Sequence, residues 1–169
     1  MRQLLILRHA KSDWSNKLRD FDRPLAARGL KNAKQMGLWM HQQNLLPDYI
    51  ISSPAKRTLQ TAELVTEPFA INVSEIHLDS NIYEANLRDL LNVLAQIPNA
   101  SQRVLLVGHN PGFDQLLSHL ADIAEVFSGD GRLMTTCTLA YLDMPEDWEQ
   151  LSPGCARLVK ITRAKNLKL

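Results

Sequence analysis

The residues best suited to chemistry lie where a short apolar run ends in two polar side chains. Residues 4–7 are apolar and lead directly into Arg8 and His9. A run this short is typical of a buried strand in a parallel sheet, and open α/β sheets bind ligands at the carboxyl ends of such strands. A nucleophile beside a fixed positive charge at that place is suited to chemistry on an anion. The pair alone is a weak signal, and other segments strengthen it.

Three further segments carry side chains of the same kind to the same kind of place. Arg57 lies in the predicted first turn of a helix that directly follows a strand. His109 follows a buried apolar strand and precedes another helix, and Glu84 stands just before a third helix. The carboxyl ends of parallel strands meet at one edge of a sheet, so we expect these residues to converge there with Arg8 and His9.

Two arginines, two histidines and several helix N-termini around one point would form a strong anion site. Guanidinium groups bind phosphate oxygens through paired hydrogen bonds, and free backbone N–H groups at a helix start add further donors. In that setting His9 could attack phosphorus and form a covalent intermediate that water later cleaves. Arg8, Arg57 and His109 would hold the charge on the equatorial oxygens, a task that metal ions perform in other enzymes. No residues have metal-ligand spacing, so we expect neither a metal nor another cofactor.

Each of these residues also has a purely structural interpretation. Arg57 could pair with an acid such as Glu63 on its own helix, or with an acid across the fold. His109 could cap the helix that follows it, and Glu84 could be an ordinary acid stabilised by a helix dipole. Lys11 could steer an anion inward, or it could be an exposed lysine without that role.

The elements that must position these side chains alternate between strand and helix. Apolar periodicity and turn signals predict, in order, strand 4–7, helix 27–43, strand 48–52, helix 53–66, strand 72–77, helix 86–94, strand 103–107, a helix from 110, and strands 138–144 and 156–162. Ser53 and Asn110 each precede a proline, which favours a helix N-cap. Strands separated by helices imply a mostly parallel central sheet in a three-layer α/β/α sandwich, and the closing pair could be antiparallel. We expect a single domain over residues 1–169.

Composition indicates a soluble globular protein, with 45% apolar and 22% charged residues. The formal net charge is +1 and Lys and Arg are scattered along the sequence, which gives no sign of a nucleic-acid or membrane partner. Cys137 and Cys155 fit no metal or redox spacing and are expected to be reduced thiols. Arg8 and His9 interrupt the first apolar run too early for a signal peptide, and no segment reaches transmembrane length. A cytoplasmic location is therefore expected.

The chain resembles the histidine phosphatase superfamily, also called the phosphoglycerate mutase-like fold. The likeness rests on the contexts of Arg8, His9, Arg57 and His109, which occur in the order of that family. Two stretches look closest to its small SixA-like branch of phosphohistidine phosphatases, RHAKSDW at 8–14 and DRPLAARG at 22–29. The likeness spans roughly residues 4–120, and four motifs in the right order make chance similarity a poor explanation.

The resemblance implies a role for each matched position. His9 would be the phosphorylated nucleophile. Arg8, Arg57 and His109 would form the phosphate pocket, to which we add Asn110 beside His109. The site would then act on a phosphoryl group without a metal.

Other positions either extend this set or depart from the family pattern. Glu84 falls where larger members carry the acid that protonates the leaving group. Lys11 stands where Glu or Gln is common and Ala10 where glycine is usual, and both are compatible with the SixA-like branch. Ser15 takes the place of an asparagine that contacts phosphate in many mutases, with Asn16 next to it. We count Lys11 and Ser15 as substrate-binding candidates, and the change at Ser15 argues against phosphoglycerate mutase activity.

The favoured interpretation is a metal-independent phosphatase that hydrolyses phosphate monoesters or phosphohistidine through an intermediate on His9. A SixA-like protein phosphohistidine phosphatase fits best, because few residues precede Glu84 after the third predicted strand and little chain is left for a lid. An open pocket would admit the phosphorylated side chain of another protein. Two alternatives stay open: a phosphatase of a small phosphorylated metabolite or nucleotide, and a phosphate-binding module without turnover. The presence of His9 favours an enzyme over such a module.

Overall fold

The computed structural model describes residues 1–123 and 133–168. Its main elements, in chain order, are β1 (Arg2–Arg8), α1 (Ala27–Gln42), β2 (Tyr49–Ser52), α2 (Lys56–Thr66), β3 (Ile76–Leu78), α3 (Leu87–Ala95), β4 (Arg103–Gly108), α4 (Gly112–Leu120), β5 (Thr138–Met144) and β6 (Arg157–Arg163). In the part of the chain that is described, no helix is both long and apolar enough to span a membrane.

One sheet contains all six of these strands, in the order β3-β2-β4-β1-β5-β6. The first four in that order run parallel to one another. β5 is antiparallel to β1, and β6 is antiparallel to β5. The prediction of a mostly parallel sheet with an antiparallel closing pair is confirmed. β1 lies near the middle of the sheet, which explains why its apolar run is unbroken.

Helices cover both faces of the sheet. Leu4 and Ile6 lie in one apolar cluster with the buried side chains of α3 and α4. Leu5 and Leu7 lie in the other cluster, with those of α1 and α2. Successive side chains of a strand point to opposite faces, so a central strand needs apolar residues at every position. The result is the expected three-layer α/β/α arrangement.

The start of α2 differs from the prediction. The helix begins at Lys56 after the N-cap residue Ala55, whereas the sequence suggested an N-cap at Ser53. The backbone N–H of Ser53 donates to the carbonyl of Val107 at 3.1 Å, which continues the β2–β4 pairing by one residue. Ser53 therefore belongs to the strand end, and its hydroxyl is available for the site described below.

The third strand is shorter than predicted and begins later. The sequence suggested 72–77, but only Ile76–Leu78 pairs with β2, and Val73–Glu75 forms a single 3₁₀ turn. The Asn72 side chain accepts a hydrogen bond from the backbone N–H of Ser74 at 3.0 Å. Asparagine favours such local turns over an extended backbone, which explains the error. Both cysteines are free thiols in the structure.

Candidate active site

Three strands end side by side and bring their following residues together. Arg8 pairs with Gly108 across β1 and β4, and Ser52 pairs with Val107 across β2 and β4. The N–H of His9 donates to the carbonyl of Gly108 at 3.0 Å, so the ladder continues one residue beyond β1. The residues after these strands are therefore neighbours at the carboxyl edge of the sheet.

His9 is a buried, neutral imidazole, with 7% of its surface exposed. Its Nδ1 lies 2.7 Å from the carbonyl oxygen of Ala10. A carbonyl oxygen can only accept, so Nδ1 carries the proton and Nε2 keeps its lone pair. Burial is the main cause that lowers the pKa of His9 to about 3; nearby arginine charges add to it, and the Ala10 hydrogen bond opposes it. Nε2 is thus unprotonated at neutral pH, as a nucleophile must be.

A threonine on α2 fixes the backbone beside His9. The N–H of Ala10 donates to the Thr61 hydroxyl at 3.0 Å. That hydroxyl in turn donates to the carbonyl of Arg57 one helical turn earlier, at 2.8 Å. The segment that carries His9 is thereby tied to the same helix that carries Arg57.

His109 lies against His9, with the two ring centroids 5.3 Å apart. Nη2 of Arg57 approaches Nδ1 of His109 at 3.4 Å. A guanidinium group only donates, so Nδ1 accepts and Nε2 carries the proton, which it donates to the Ser53 hydroxyl at 2.8 Å. Burial first, and then the nearby positive groups, lower the pKa of His109 to about 3. Both histidine rings are therefore neutral at pH 7.

Asp20 holds Arg57 at the pocket. Nη1 of Arg57 donates to the Asp20 carbonyl at 2.6 Å, and Nη2 donates to its carboxylate at 3.0 Å. The same carboxylate accepts from the Tyr83 hydroxyl at 2.6 Å and forms an ion pair with Arg23. Burial on its own raises the pKa of Asp20, but these hydrogen bonds and charges outweigh it and the pKa falls to about 2. Arg57 thus pairs with an acid across the fold and not with Glu63.

Arg23 is a further buried arginine in this cluster. Only 7% of its surface is exposed, and its guanidinium carbon lies 3.5 Å from the centroid of the Trp14 ring. Its Nε–H is buried and has no hydrogen-bond acceptor among the described residues. A buried donor without an acceptor costs free energy, and an anion oxygen is the natural group to satisfy it. Trp14 itself is 70% exposed and covers one face of the Arg23 guanidinium group.

Arg8 and Asn110 both donate to the carbonyl oxygen of Met134, from Nη1 at 2.9 Å and from Nδ2 at 2.8 Å. The Asn110 side-chain oxygen accepts from the N–H of Asp114 at 3.2 Å. The Asp114 carboxylate accepts from the N–H of Met134 at 2.8 Å. Both ends of the Asn110 amide therefore have protein partners, and its placement is that of a clamp on the segment beside Arg8.

Three predicted site residues lie outside this hydrogen-bonded cluster. Glu84 is exposed with a left-handed φ of 55°, and it follows Tyr83, whose ring centroid is 5.5 Å from that of His109. Lys11 is exposed, and Ser15 is exposed with its N–H donating to the Asp13 carboxylate at 2.8 Å. Within the described chain no hydrogen bond joins any of the three to the central histidines and arginines.

Sequence reasoning missed the residues that hold the central side chains in place: Asp20, Arg23, Ser53, Thr61 and Tyr83. The segment RDFDR at 19–23 packs four charges into five residues, which is a signal that could have pointed to the first two. The hydroxyl residues carry no comparable signal, because their role depends on contacts between distant parts of the chain. Among residues 1–123 and 133–168, no group of three or more His, Cys, Asp or Glu side chains is arranged to hold a metal ion.

A neutral buried imidazole ringed by guanidinium groups at such a sheet edge is suited to accept a phosphoryl group. The chain belongs to the histidine phosphatase superfamily, since the family's branch 1 pattern matches residues 4–98. Within that superfamily its fold and sequence place it in the SixA-like branch, and the protein is a phosphatase.

Several known proteins are similar over nearly the whole chain. An uncharacterised protein of Mycobacterium tuberculosis is 29% identical over 157 residues, which covers 90% of this chain and 96% of that protein. The structure of a SixA protein of Agrobacterium tumefaciens, named as a phosphohistidine phosphatase, is 30% identical with a TM-score of 0.79 and covers 95% of this chain and 97% of its own. The protein histidine phosphatase SixA complexed with tungstate has a TM-score of 0.81 at 21% identity, covering 98% and 99%, and this likeness shows the fold.

Proposed function

We propose that the protein removes the phosphoryl group from a phosphorylated histidine of another protein, through a phosphohistidine intermediate on its own His9. The observation that carries this proposal is the state of His9. Its Nδ1 donates to the Ala10 carbonyl, and Nε2 is left unprotonated beside the charges of Arg8, Arg23 and Arg57. The partner is thus a phosphorylated protein, and the cytoplasmic location expected from the sequence stays a prediction.

The reaction proceeds in two balanced steps. First, Nε2 of His9 bonds to phosphorus while the P–N bond to the substrate imidazole breaks, and that imidazole leaves with its proton. Next, a water oxygen bonds to phosphorus as the P–Nε2 bond breaks, and inorganic phosphate leaves with that oxygen as its fourth. The water proton passes to phosphate or solvent, so His9 returns to its neutral form.

Arginine charge supports both steps. Arg8, Arg23 and Arg57 supply fixed positive groups around His9, and guanidinium groups bind phosphoryl oxygens with a defined geometry. A guanidinium group is a permanent cation in proteins, so the site is equipped to stabilise the transferring group by arginine alone. We therefore propose that hydrolysis needs no metal ion.

Asp20 and Asn110 are positioning residues in this proposal. Asp20 fixes both amino groups of Arg57. Asn110 fixes the carbonyl of Met134, which also accepts from Arg8. Each side chain thus acts on the substrate through an arginine, by holding that arginine in one orientation.

The choice of phosphohistidine follows from the leaving group. An imidazole departs already protonated, whereas an alkoxide leaving from an ester needs an acid to protonate it. Glu84, the candidate acid, is exposed and outside the hydrogen-bonded cluster. The arrangement therefore suits a substrate that needs no dedicated acid, and Glu84 would matter only for esters.

A substrate comparison tests this proposal. Wild type, Glu84→Gln and Glu75→Gln, a matched exposed acid elsewhere, are assayed on a phosphohistidine peptide and a phosphoserine peptide with and without EDTA. We expect the phosphohistidine peptide to have the higher kcat/KM, to be unaffected by EDTA, and to change by less than about twofold in Glu84→Gln. Turnover of phosphoserine or small esters alone would refute the proposed substrate class and favour the metabolite phosphatase.

A further inference from the structure

A cavity with a positively charged lining lies between α1, the segment before β5 and the carboxyl-terminal turn. A cavity of about 620 Å³ is lined by Arg28, Lys31 and Lys165, with Thr135 and Thr136 among the other lining residues. The three charged side chains are exposed, and no lining residue is acidic. A cavity of this size falls in the range of ligand-binding sites, and its charge suits an anion.

The charge of the cavity belongs to a larger segregation that the net charge of +1 hides. Residues 23–47 contain four Lys or Arg and no Asp or Glu, and residues 150–168 contain five and none. Fifteen of the 18 acidic residues lie between them, in residues 48–149. The fold packs the two basic stretches together: α1 contacts the turn Ala164–Asn166, and Nζ of Lys160 lies 5.4 Å from the centroid of the Trp39 ring.

The cavity opens at the same edge of the sheet as His9. The N–H of Cys137 donates to the His9 carbonyl at 3.0 Å, and Thr136, which lines the cavity, directly precedes Cys137. The first turn of α1 lies against the segment that follows His9, because a Cβ on Gly29 would sit 2.1 Å from the carbonyl oxygen of Lys11. β6 ends at this edge too, since Arg163 pairs with the first residue of β5.

We propose that this cavity is a second anion site, which receives acidic side chains that lie close to the phosphohistidine on the partner protein. The inference rests on the proposed function, since it names the kind of protein that the phosphatase would choose. From the backbone contact above, the cavity begins roughly 10 Å from His9, and an extended segment advances about 3.3 Å per residue. Acidic residues three to five positions from the phosphohistidine therefore reach it.

The distribution of charge favours a short acidic segment over a long polyanion. Lysine and arginine side chains are flexible, so they accommodate carboxylates at slightly different positions. The formal net charge of the chain is +1, so a nucleic acid that extended beyond the three basic residues of the cavity would gain little further attraction. A local acidic patch on a protein needs no more positive charge than the cavity itself supplies.

Matched lysine substitutions test the cavity. One variant is Lys31→Gln with Lys165→Gln; its control is Lys34→Gln with Lys168→Gln, which removes the same charge from α1 and the carboxyl-terminal segment outside the cavity lining. The substrates are two phosphohistidine peptides that differ only in glutamate or glutamine at the flanking positions. For wild type and control we expect a KM about three- to tenfold lower for the acidic peptide than for the glutamine peptide, with similar kcat. The cavity variant should show the same KM for both peptides. Equal loss in both variants, or no preference in wild type, would overturn the proposal.

A binding measurement keeps this test separate from the proposed function. The acidic peptide without its phosphoryl group, labelled with a fluorophore, is titrated with each variant and followed by anisotropy. Binding that weakens only in the cavity variant supports the second site even where no phosphohistidine is hydrolysed, a result that would refute the proposed substrate alone. Preferential binding of a single-stranded oligonucleotide at the same lysines would overturn the choice of an acidic protein segment.

Discussion

The surroundings of His9 set the protonation state that its proposed role as nucleophile requires. The Ala10 carbonyl fixes the proton on Nδ1, and burial keeps the other nitrogen unprotonated. The arginines nearby discourage protonation and also attract a phosphoryl dianion, so one set of charges serves both purposes. In the proposed mechanism His9 therefore needs no separate general base to remove a proton from Nε2.

The pH dependence of phosphoenzyme formation follows from this state. The pKa of His9 is lowered from 6.5 to about 3, chiefly by burial. A base with a lowered pKa stays unprotonated as the pH falls, so the rate should change by less than about twofold from pH 7 to pH 5 after correction for substrate ionisation. With an ordinary imidazole pKa of about 6.5, the rate would fall about 25-fold over that interval. Rapid-quench measurements of the first turnover distinguish the two results.

The same pKa values link protonation to stability. His9 and His109 titrate near 6.5 in an unfolded chain but near 3 in the folded protein, with burial the largest cause for each. Their contribution to the free energy of unfolding is complete above about pH 6.5 and declines as the pH falls towards 3. In that range only the unfolded chain takes up protons at these histidines. Neutral conditions therefore suit both the fold and the nucleophile.

A substitution at Asp20 tests whether this residue positions Arg57 for catalysis or only stabilises the fold. Asp20→Asn removes the charge that holds Arg57 and Arg23 while it keeps the size of the side chain. We expect kcat to fall by about tenfold as Arg57 loses its fixed orientation, and inorganic phosphate to inhibit at about threefold lower concentration because the pocket gains net positive charge. Inhibition kinetics and thermal melting measure both effects.

Asp22→Asn is the matched control for this change, because Asp22 pairs with Arg19, whose side chain is 81% exposed. It should leave kcat and phosphate inhibition unchanged. Similar kinetics in the two variants would show that Asp20 does not position Arg57.

The central residues were predictable because each stands directly after an apolar strand or at a helix start. Residue type and local context alone identify four site candidates: Arg8, His9, Arg57 and His109. Asp20 lies in the charged segment RDFDR, but that segment does not show what Asp20 contacts, since its partners Arg57 and Tyr83 lie 37 and 63 residues away along the chain. Contacts of that range are set by the fold.

At the scale of elements, the first turn of α1 sets the position of the segment after His9. Gly29 lies so close to the Lys11 carbonyl that an added Cβ would come within 2.1 Å of its oxygen. The N–H of Ala26 also donates to that carbonyl, at 2.9 Å. The close approach therefore requires a residue without a side chain at this point.

Gly29→Ala should destabilise the protein and disturb the site together. We expect a loss of about 1–3 kcal/mol in the free energy of unfolding from the forced backbone shift, with kcat reduced by at least about tenfold. Gly154→Ala is the comparison, since its Cβ would meet nothing within 4 Å although its φ of 72° adds backbone strain. Gly154→Ala should lower stability without lowering kcat. An unchanged kcat in Gly29→Ala would contradict the view that the first turn of α1 positions the site. Urea denaturation and steady-state kinetics give the two quantities.

Element boundaries were predicted best where one strong signal dominates. Asn86 caps α3 through a reciprocal bond with Asp89, and the predicted start of that helix is confirmed. The serine and proline before α2 suggested a cap of the same kind, yet Ser53 pairs with β4 and the helix begins at Lys56. The backbone hydrogen bond to Val107, which forms only in the folded sheet, outweighs the local preference for a helix cap.

At the scale of the whole molecule, the two apolar clusters share a single sheet. β1 contributes alternate residues to each cluster, so neither layer of helices can detach without exposing the central strand. Basic and acidic residues are meanwhile concentrated in different parts of the chain, which the net charge of +1 does not show. Lys and Arg are scattered along the sequence, whereas the fold packs two basic stretches against each other.

The shared sheet predicts one cooperative unfolding transition. Trp148 is 1% exposed within one cluster, so in a variant with Trp14→Phe and Trp39→Phe its fluorescence reports on one face of the sheet, whereas far-ultraviolet circular dichroism reports on all helices. We expect both signals to change at the same urea concentration. Separate midpoints would show that the chain contains two independently stable units and would contradict the single domain expected from the sequence.

The most direct test of the whole account is a short pulse with a phosphohistidine peptide labelled on phosphorus. Wild type, His9→Ala and His41→Ala, an exposed histidine elsewhere, are quenched and examined for an acid-labile, base-stable phosphoryl adduct, with and without EDTA. We predict the adduct in wild type and His41→Ala, its absence in His9→Ala, and no effect of EDTA. Turnover without an adduct, or an adduct that persists in His9→Ala, would contradict His9 as the residue that carries the phosphoryl group.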